Sequence, residues 1–361
     1  MKIVFRSRVF HLIRTYSTAR NIRKFFDRRS HEISTTHISR LSLKCAPLEK
    51  QFKLPDIPDL ITSAKFFKGK YGYSPITFGS FKTLNLEPQL NSKFFFLSPI
   101  VPGKPYSFND EVDYFQAYSK SVWAITHKKG GWDCMRHLEI MASGCIPLMH
   151  DAKKIPECAM FYYPKELFAK LYLEFKKSPF LPGPDLLEFI EKWMAMYLTS
   201  GSVVQNMLNL VSPEFDIKNK KILFVDPTLA HSVDYMSAVV LHGLLQTFPS
   251  KIDILECAPR YMFDDYTDAT NSLYGRGFGY SKSCRAEKRN VVNLSDINFS
   301  DYFFVVVTNS LRNLEFLEKN IKSLANTHLV LIEGGDDPMT AAELGQLQTF
   351  SEHVFSREGV R

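Results

Sequence analysis

The six cysteines (Cys45, Cys134, Cys145, Cys158, Cys257 and Cys284) include no pair at CxxC spacing and have no companion histidine pattern. That removes the usual zinc signatures, and a disulfide framework has no support in a chain of 361 residues. Reduced thiols in a cytoplasmic setting are the expectation. No apolar run approaches the ~20 residues that a membrane-spanning helix needs, so no integral membrane span is expected. The opening run MKIVFRSRVFHLIRTYS is broken by Arg6, Arg8 and Arg14 and lacks the continuous apolar centre of a secretory signal. There is no internal repeat and no low-complexity tract. Acidic pairs in metal-binding turns are scarce too: Asp336 and Asp337 follow two glycines, where a capping turn is the simpler reading.

An excess of positive charge exists but is local. Residues 1–50 hold twelve Lys/Arg against three acids, a net of +9, which leaves −2 for the rest of a chain whose total is +7. A general polyanion surface is therefore not implied, and nucleic acid is not an expected partner. The basic segment admits two readings. Its Arg-rich, acid-poor composition over 1–31 is that of a mitochondrial presequence. The spacing of Ile22, Phe25 and Phe26 suits instead a short strand over 2–5 and a packed helix over 18–29.

With 45% hydrophobic and 23% charged residues, the chain can bury a substantial core. Residues 45–110 are rich in Pro, Lys, Ser and Phe, with the apolar piece KFFFL at 93–97 and a loop at 101–110. A helix over 110–118 is expected, capped by Asn109 or Asp110. Then come a buried strand at 121–127 (SVWAITH), a turn at 128–133 (KKGGWD), a helix at 134–143 stopped by Gly144, and a strand at 145–149. A helix is predicted at 165–175, a linker at 177–184 and largely helical structure over 185–210. After a polar boundary at 212–220, strands at 221–225, 251–255, 302–307, 328–332 and 353–355 alternate with helices at 233–245, 311–323 and 341–349. Such alternation implies βαβ crossovers and parallel sheet. The expected fold is α/β with two Rossmann-like domains, the second ending before its sheet is finished. The division reads 1–50 as a basic segment of the first domain, 51–215 as the first α/β domain and 219–361 as the second.

Ligands of parallel sheets bind beyond the carboxyl ends of the strands. That rule selects 128–133. Gly130 and Gly131 permit close backbone approach, the following helix N-terminus favours an anion, and Lys128, Lys129 and Arg136 add cations suited to a diphosphate. Arg136 and Glu139, three apart, share a helical face. The same features also suit a solvated turn and a surface ion pair. In the second half, 226–228, 308–310 and 333–337 fall at predicted strand ends and would ring one crevice, with Arg276 in a glycine-flanked loop nearby.

The run GGWDCMRHLEIMASGCIPLM resembles the donor-binding signature of GT-B glycosyltransferases, in particular the exostosin-like and group 1 families. The resemblance covers about thirty residues, 121–151. The run LYGRGFGY at 273–280 is similar, more loosely, to the other half of such proteins. It implies a metal-independent hexosyl- or pentosyltransferase of polysaccharide biosynthesis that takes a nucleoside-diphosphate sugar as co-substrate, without a further cofactor, and a glycan or glycoconjugate as acceptor. Glu139 matches the glutamate that holds the nucleotide ribose, Arg136 the basic residue at the donor phosphates, and Gly144 and Pro147 the turn after the helix. Lys128, Lys129, Gly130, Gly131 and Trp132 complete the implied donor site. The group 1 glutamate eight residues before the ribose glutamate is here Gly131, so Asp133 is the nearest acid. Asp133 and His127 are the candidate bases for an acceptor hydroxyl. The donor-like motif precedes the second Rossmann-like half, whereas the usual order is the reverse. A non-catalytic nucleotide-binding or scaffolding protein of the same fold is the alternative expectation.

Overall fold

The computed structural model describes residues 49–81, 93–100, 102–103, 108–213, 215–217 and 220–361. The strand and helix expected within 1–31 lie outside the described residues.

In the first half, β1 (Glu49–Lys50) is followed by α1 (Leu60–Tyr71) and β2 (Ser74–Pro75). Helix α1 starts where the Asp59 carboxylate accepts from the N–H groups of Ile61 and Thr62, and it ends at Gly72 in the left-handed region (φ 77°). Next come β3 (Phe95–Leu97), α2 (Glu111–Ser119) capped by Asp110, β4 (Ser121–Thr126), α3 (Met135–Ala142) and β5 (Ile146–Met149). Strands β3, β4 and β5 form a three-stranded parallel sheet in that order. Gly144 turns the chain from α3 into β5 at φ 66°. Lys93 is buried there, and its ammonium donates to the carbonyls of Ser119 and Gly144 at 2.7 and 2.8 Å, tying the ends of α2 and α3 together.

Helix α4 (Lys165–Lys177) leads to β6 (Leu181–Pro182), which pairs with β1 inside the stretch expected to be a plain linker. The helical stretch that follows is two helices, α5 (Pro184–Tyr197) and α6 (Ser200–Val211). Ser80 bridges the break: its N–H donates to the Leu198 carbonyl and its carbonyl accepts from Ser200 N–H.

The second half contains β7 (Lys221–Val225), α7 (Tyr235–Thr247), β8 (Ile252–Leu255), β9 (Val291–Val292), β10 (Tyr302–Thr308), α8 (Leu314–Leu324), β11 (His328–Glu333), α9 (Ala341–Gln348) and β12 (Val354–Ser356). Helix α9 opens with a reciprocal capping box between Thr340 and Glu343. The strands build a seven-stranded parallel sheet in the order β2-β12-β11-β10-β7-β8-β9. The two-residue strand β2, early in the chain, pairs with β12 and extends the large sheet at that edge. The sheets thus do not part at residue 215.

Both faces of the large sheet are buried, so its strands read as continuous apolar runs. Alternate residues go to opposite faces: Ile222, Phe224, Phe304 and Val306 join one core, and Leu223, Val225, Val305 and Val307 join another that includes Phe67 of α1. The first core also contains Trp123, Leu138 and the apolar faces of α5, α6 and α7, so one continuous apolar body links the two larger sheets. Helices α6 and α7 meet at Gly243, where a Cβ would lie 2.2 Å from the Ser200 carbonyl oxygen. Among the described residues, no helix is long and apolar enough to cross a membrane.

Candidate functional site

The loop between β4 and α3 is built by residues far away in sequence. Glu358 accepts from the N–H groups of Trp132 and Asp133, both at 3.0 Å. Arg357 donates from Nη1 to the Asp133 carbonyl at 2.6 Å and from Nη2 to the Gly335 carbonyl at 2.8 Å, and it pairs with Asp336. Its guanidinium lies 4.3 Å from the Phe78 ring centre. The two glycines are required by this approach. A Cβ on Gly130 would fall 2.1 Å from Asp336 Oδ2, and one on Gly131 would fall 2.4 Å from Glu358 Oε1. The close backbone approach expected of a ligand is thus made first by side chains that follow β11 and β12.

A cavity of about 390 Å3 opens between this loop and the large sheet. Its wall on one side is Lys129, Gly130, Gly131 and the start of α3. The other side is formed by residues after β7 (Asp234, Tyr235), β10 (Arg312), β11 (Gly334 to Asp336) and β12 (Arg357). The carboxyl ends of strands from both sheets therefore face one space, the position where parallel sheets bind ligands. Tyr274 and Phe278, from the YGRGFG loop, close a further side. Phe278 is held there against Tyr114, with ring centres 5.4 Å apart. The same loop crosses to the first half through Arg276, which donates to the Asn109 side chain.

Of the nine residues singled out between positions 127 and 139, Lys129, Gly130, Gly131, Asp133, Arg136 and Glu139 line the cavity. Arg136 is only 8% exposed, and its Nε and Nη1 are buried without a hydrogen-bond partner. Burial pulls its pKa down, but the Tyr118 and Tyr114 hydroxyls, Cys134 and Glu139 outweigh that and hold the guanidinium firmly charged. Glu139 accepts from the Tyr114 hydroxyl at 2.5 Å. Burial pushes its carboxyl up, against the opposing pull of Tyr114 and Arg136. Cys134, the N-cap of α3, makes no side-chain cap, which leaves the positive end of the helix open toward the cavity.

His127, Lys128 and Trp132 are not part of the cavity lining. Lys128 is exposed, whereas Trp132 packs, partly buried, against the main core. His127 donates from Nδ1 to the Lys128 carbonyl at 2.6 Å, and Lys128 Nζ lies 5.2 Å from the Trp132 ring centre. Asp133 is 1% exposed, and both its carboxylate oxygens are engaged. Oδ2 accepts from Thr77 Oγ1 and Phe78 N–H at 2.8 and 2.6 Å, and Oδ1 accepts from the Tyr163 hydroxyl at 2.8 Å. That makes it a joint between β4, α4's approach and the segment after β2.

The strand ends of the second half do converge. Asp226 accepts from Thr228, Ser237, Thr308 and Asn309 side chains and so knits the ends of β7 and β10 to α7. Asp234 caps α7 by accepting from Ser237 N–H at 2.8 Å, and burial raises its carboxyl. Glu333 accepts from Leu311 N–H at 2.6 Å; burial lifts it to about 7, with Asp234 adding to the rise. Arg357, Glu358, Tyr114 and Asp234 went unmarked in the sequence. Only Asp234 carries a local sign, an acid three residues before Ser237 at the start of an apolar helix.

Comparison with known proteins finds no family model, curated protein or solved structure that matches this chain.

Proposed function

We propose that the chain is a glycosyltransferase of GT-B-like organisation, moving a sugar from a nucleoside-diphosphate sugar to a hydroxyl acceptor in the cavity between the sheets. The observation that carries this reading is Arg136: a buried guanidinium with two unpartnered nitrogens, in a cavity wall beside an uncapped helix N-terminus. A diphosphate in the cavity would meet this charge in a low dielectric, where its attraction for an anion is strengthened. As the sugar leaves, negative charge grows on the diphosphate. Arg136 and the first-turn N–H groups of α3 are held in place to stabilise it, and Lys129 at the cavity wall adds positive charge.

Glu139, oriented by the Tyr114 hydroxyl, is placed to accept from ribose hydroxyls. Asp133 serves as a positioning residue, because its carboxylate is spent on protein donors. Asp234, on the opposite wall, becomes the candidate base for an acceptor hydroxyl; its burial makes the carboxylate a better proton acceptor than an exposed one.

The test is a thermal-unfolding panel with UDP, GDP, TDP and their sugars on the wild type and on Arg136→Met. A ligand at 100 times its Kd adds about 2.7 kcal/mol to stability. The reading requires at least one to raise the Tm of the wild type and to lose most of that effect in the variant. If none shifts the wild type, the reading fails. If nucleotide binds but no sugar donor turns over, the non-catalytic binding protein takes its place.

A further inference from the structure

Where the YGRGFG loop meets the start of α7, the cavity wall is aromatic. Tyr235 and Tyr274 line it together with Phe78 and Phe278, and Val233 and Met236 add aliphatic surface. Tyr235 is fixed among three rings, its centre 6.1 Å from that of Phe78, 5.8 Å from Tyr274 and 5.4 Å from Tyr280. Tyr274 combines a pinned backbone with an exposed ring. Its carbonyl accepts from the hydroxyl of the fully buried Tyr280 at 2.7 Å, yet the residue is 61% exposed. The three residues that follow all hold left-handed backbone: Gly275 at φ 59°, Arg276 at 61° and Gly277 at 76°. Arg276 does so without a glycine's freedom. A Cβ on Gly275 would fall 2.8 Å from the Tyr235 hydroxyl oxygen, so the loop is pressed onto that ring. The result is an exposed ring on a fixed backbone, a stacking surface that needs no reordering when a ligand arrives.

The polar groups of this wall are few. Asp234, next to Tyr235, brings a carboxylate whose Oδ1 accepts from Ser237 N–H at 2.8 Å. Asp336 and Arg357, also in the lining, are paired with each other. A flat apolar ring carrying one hydroxyl matches such a wall. A glycan in the same place would set many hydroxyls against aromatic and aliphatic side chains, and each one left without a partner costs free energy.

We infer that the acceptor is a phenol, its ring stacked on Tyr274 and Tyr235 and its oxygen toward Asp234, an assignment that rests on the transferase reading above. The phenol oxygen bonds to the anomeric carbon as the bond from that carbon to the diphosphate oxygen breaks. The diphosphate leaves with the electron pair, and the phenol proton passes to Asp234. A phenol, with a pKa of about 10, gives up that proton more readily than an aliphatic hydroxyl does.

The experiment titrates the full chain with the fluorescent phenol 4-methylumbelliferone, without nucleotide. The wild type should bind it saturably, one to one. Tyr274→Ala and Tyr274→Leu should each weaken binding about tenfold, and Tyr274→Phe, which keeps the ring, by less than about twofold. Because the Tyr274 ring is exposed, all three variants should keep the wild-type Tm. Maltose and uridine should fail to displace the phenol. Incubation with the sugar donor that most raises the Tm should add the mass of one sugar residue to the phenol. Absence of saturable binding, equal binding by Tyr274→Ala, or no sugar transfer to the bound phenol overturns the assignment. Displacement by maltose would make the wall a glycan site, and displacement by uridine a base site; either also overturns it. Phenol binding without binding of any nucleotide would sink the transferase reading, whereas nucleotide binding without phenol binding would sink this assignment alone.

Discussion

Replacing Glu333 with glutamine isolates what it costs to hold a carboxylate at the carboxyl end of β11. Burial lifts this group from the ordinary 4.5 to about 7, with the Leu311 N–H opposing and Asp234 reinforcing the rise. At roughly 1.4 kcal/mol for each unit of pKa, the difference is worth about 3 kcal/mol. The folded chain holds the proton more tightly than the unfolded chain. Glu333 therefore costs nothing below pH 4.5, its cost grows as pH rises from 4.5 to 7, and the full cost applies above 7. Glutamine carries no charge at any of these values and keeps an oxygen for the Leu311 N–H, now bonded at 2.6 Å. Denaturant unfolding should find Glu333→Gln more stable than the wild type by about 3 kcal/mol at pH 8, shrinking to less than about 1 kcal/mol at pH 5. A difference that does not change with pH, or a variant less stable at pH 8, would refute the reasoning.

Two further predictions concern the clasp around the β4–α3 loop. Glu358→Ala strands the buried N–H groups of Trp132 and Asp133, at about 1–3 kcal/mol for each, and should lower the unfolding midpoint accordingly. Gly131→Ala places a Cβ 2.4 Å from Glu358 Oε1 and 3.0 Å from Arg357 Nη2, an overpacking of about 1–3 kcal/mol. Combined, the two losses should sum to less than the separate values, because removing Glu358 makes room for the methyl group; strict additivity in a double-mutant cycle would show that the contact is not what Gly131 serves.

Local chemistry made the centre of the first half legible. The β-branched run of β4, the helix spacing of α3 and the stop at Gly144 are each decided by neighbours in sequence, as are β7, β10 and β11 with their apolar runs. Helix α1 carries signals at both ends, Asp59 and Gly72, but they sit in a Pro- and Lys-rich stretch that lacks a clear apolar stripe. Strand β2 has two residues, one a proline, and exists because β12 offers an open edge. The residues that shape the loop were illegible for a different reason: Arg357 and Glu358 act across 224 and 225 positions. Asp133 shows the same limit. Its place in KKGGWD suits a base, and only the folded neighbours Thr77, Phe78 and Tyr163 reveal that its oxygens are taken.

Binding of a nucleoside diphosphate at Arg136 is the claim on which the functional account rests. A crystal structure with UDP, or whichever nucleoside diphosphate most raises the Tm, tests it directly. The account predicts phosphate oxygens within hydrogen-bond reach of the Arg136 guanidinium and the first-turn N–H groups of α3, with the ribose toward Glu139. A diphosphate seated instead at the Asp226 and Arg312 end of the large sheet, with Arg136 untouched, would contradict it.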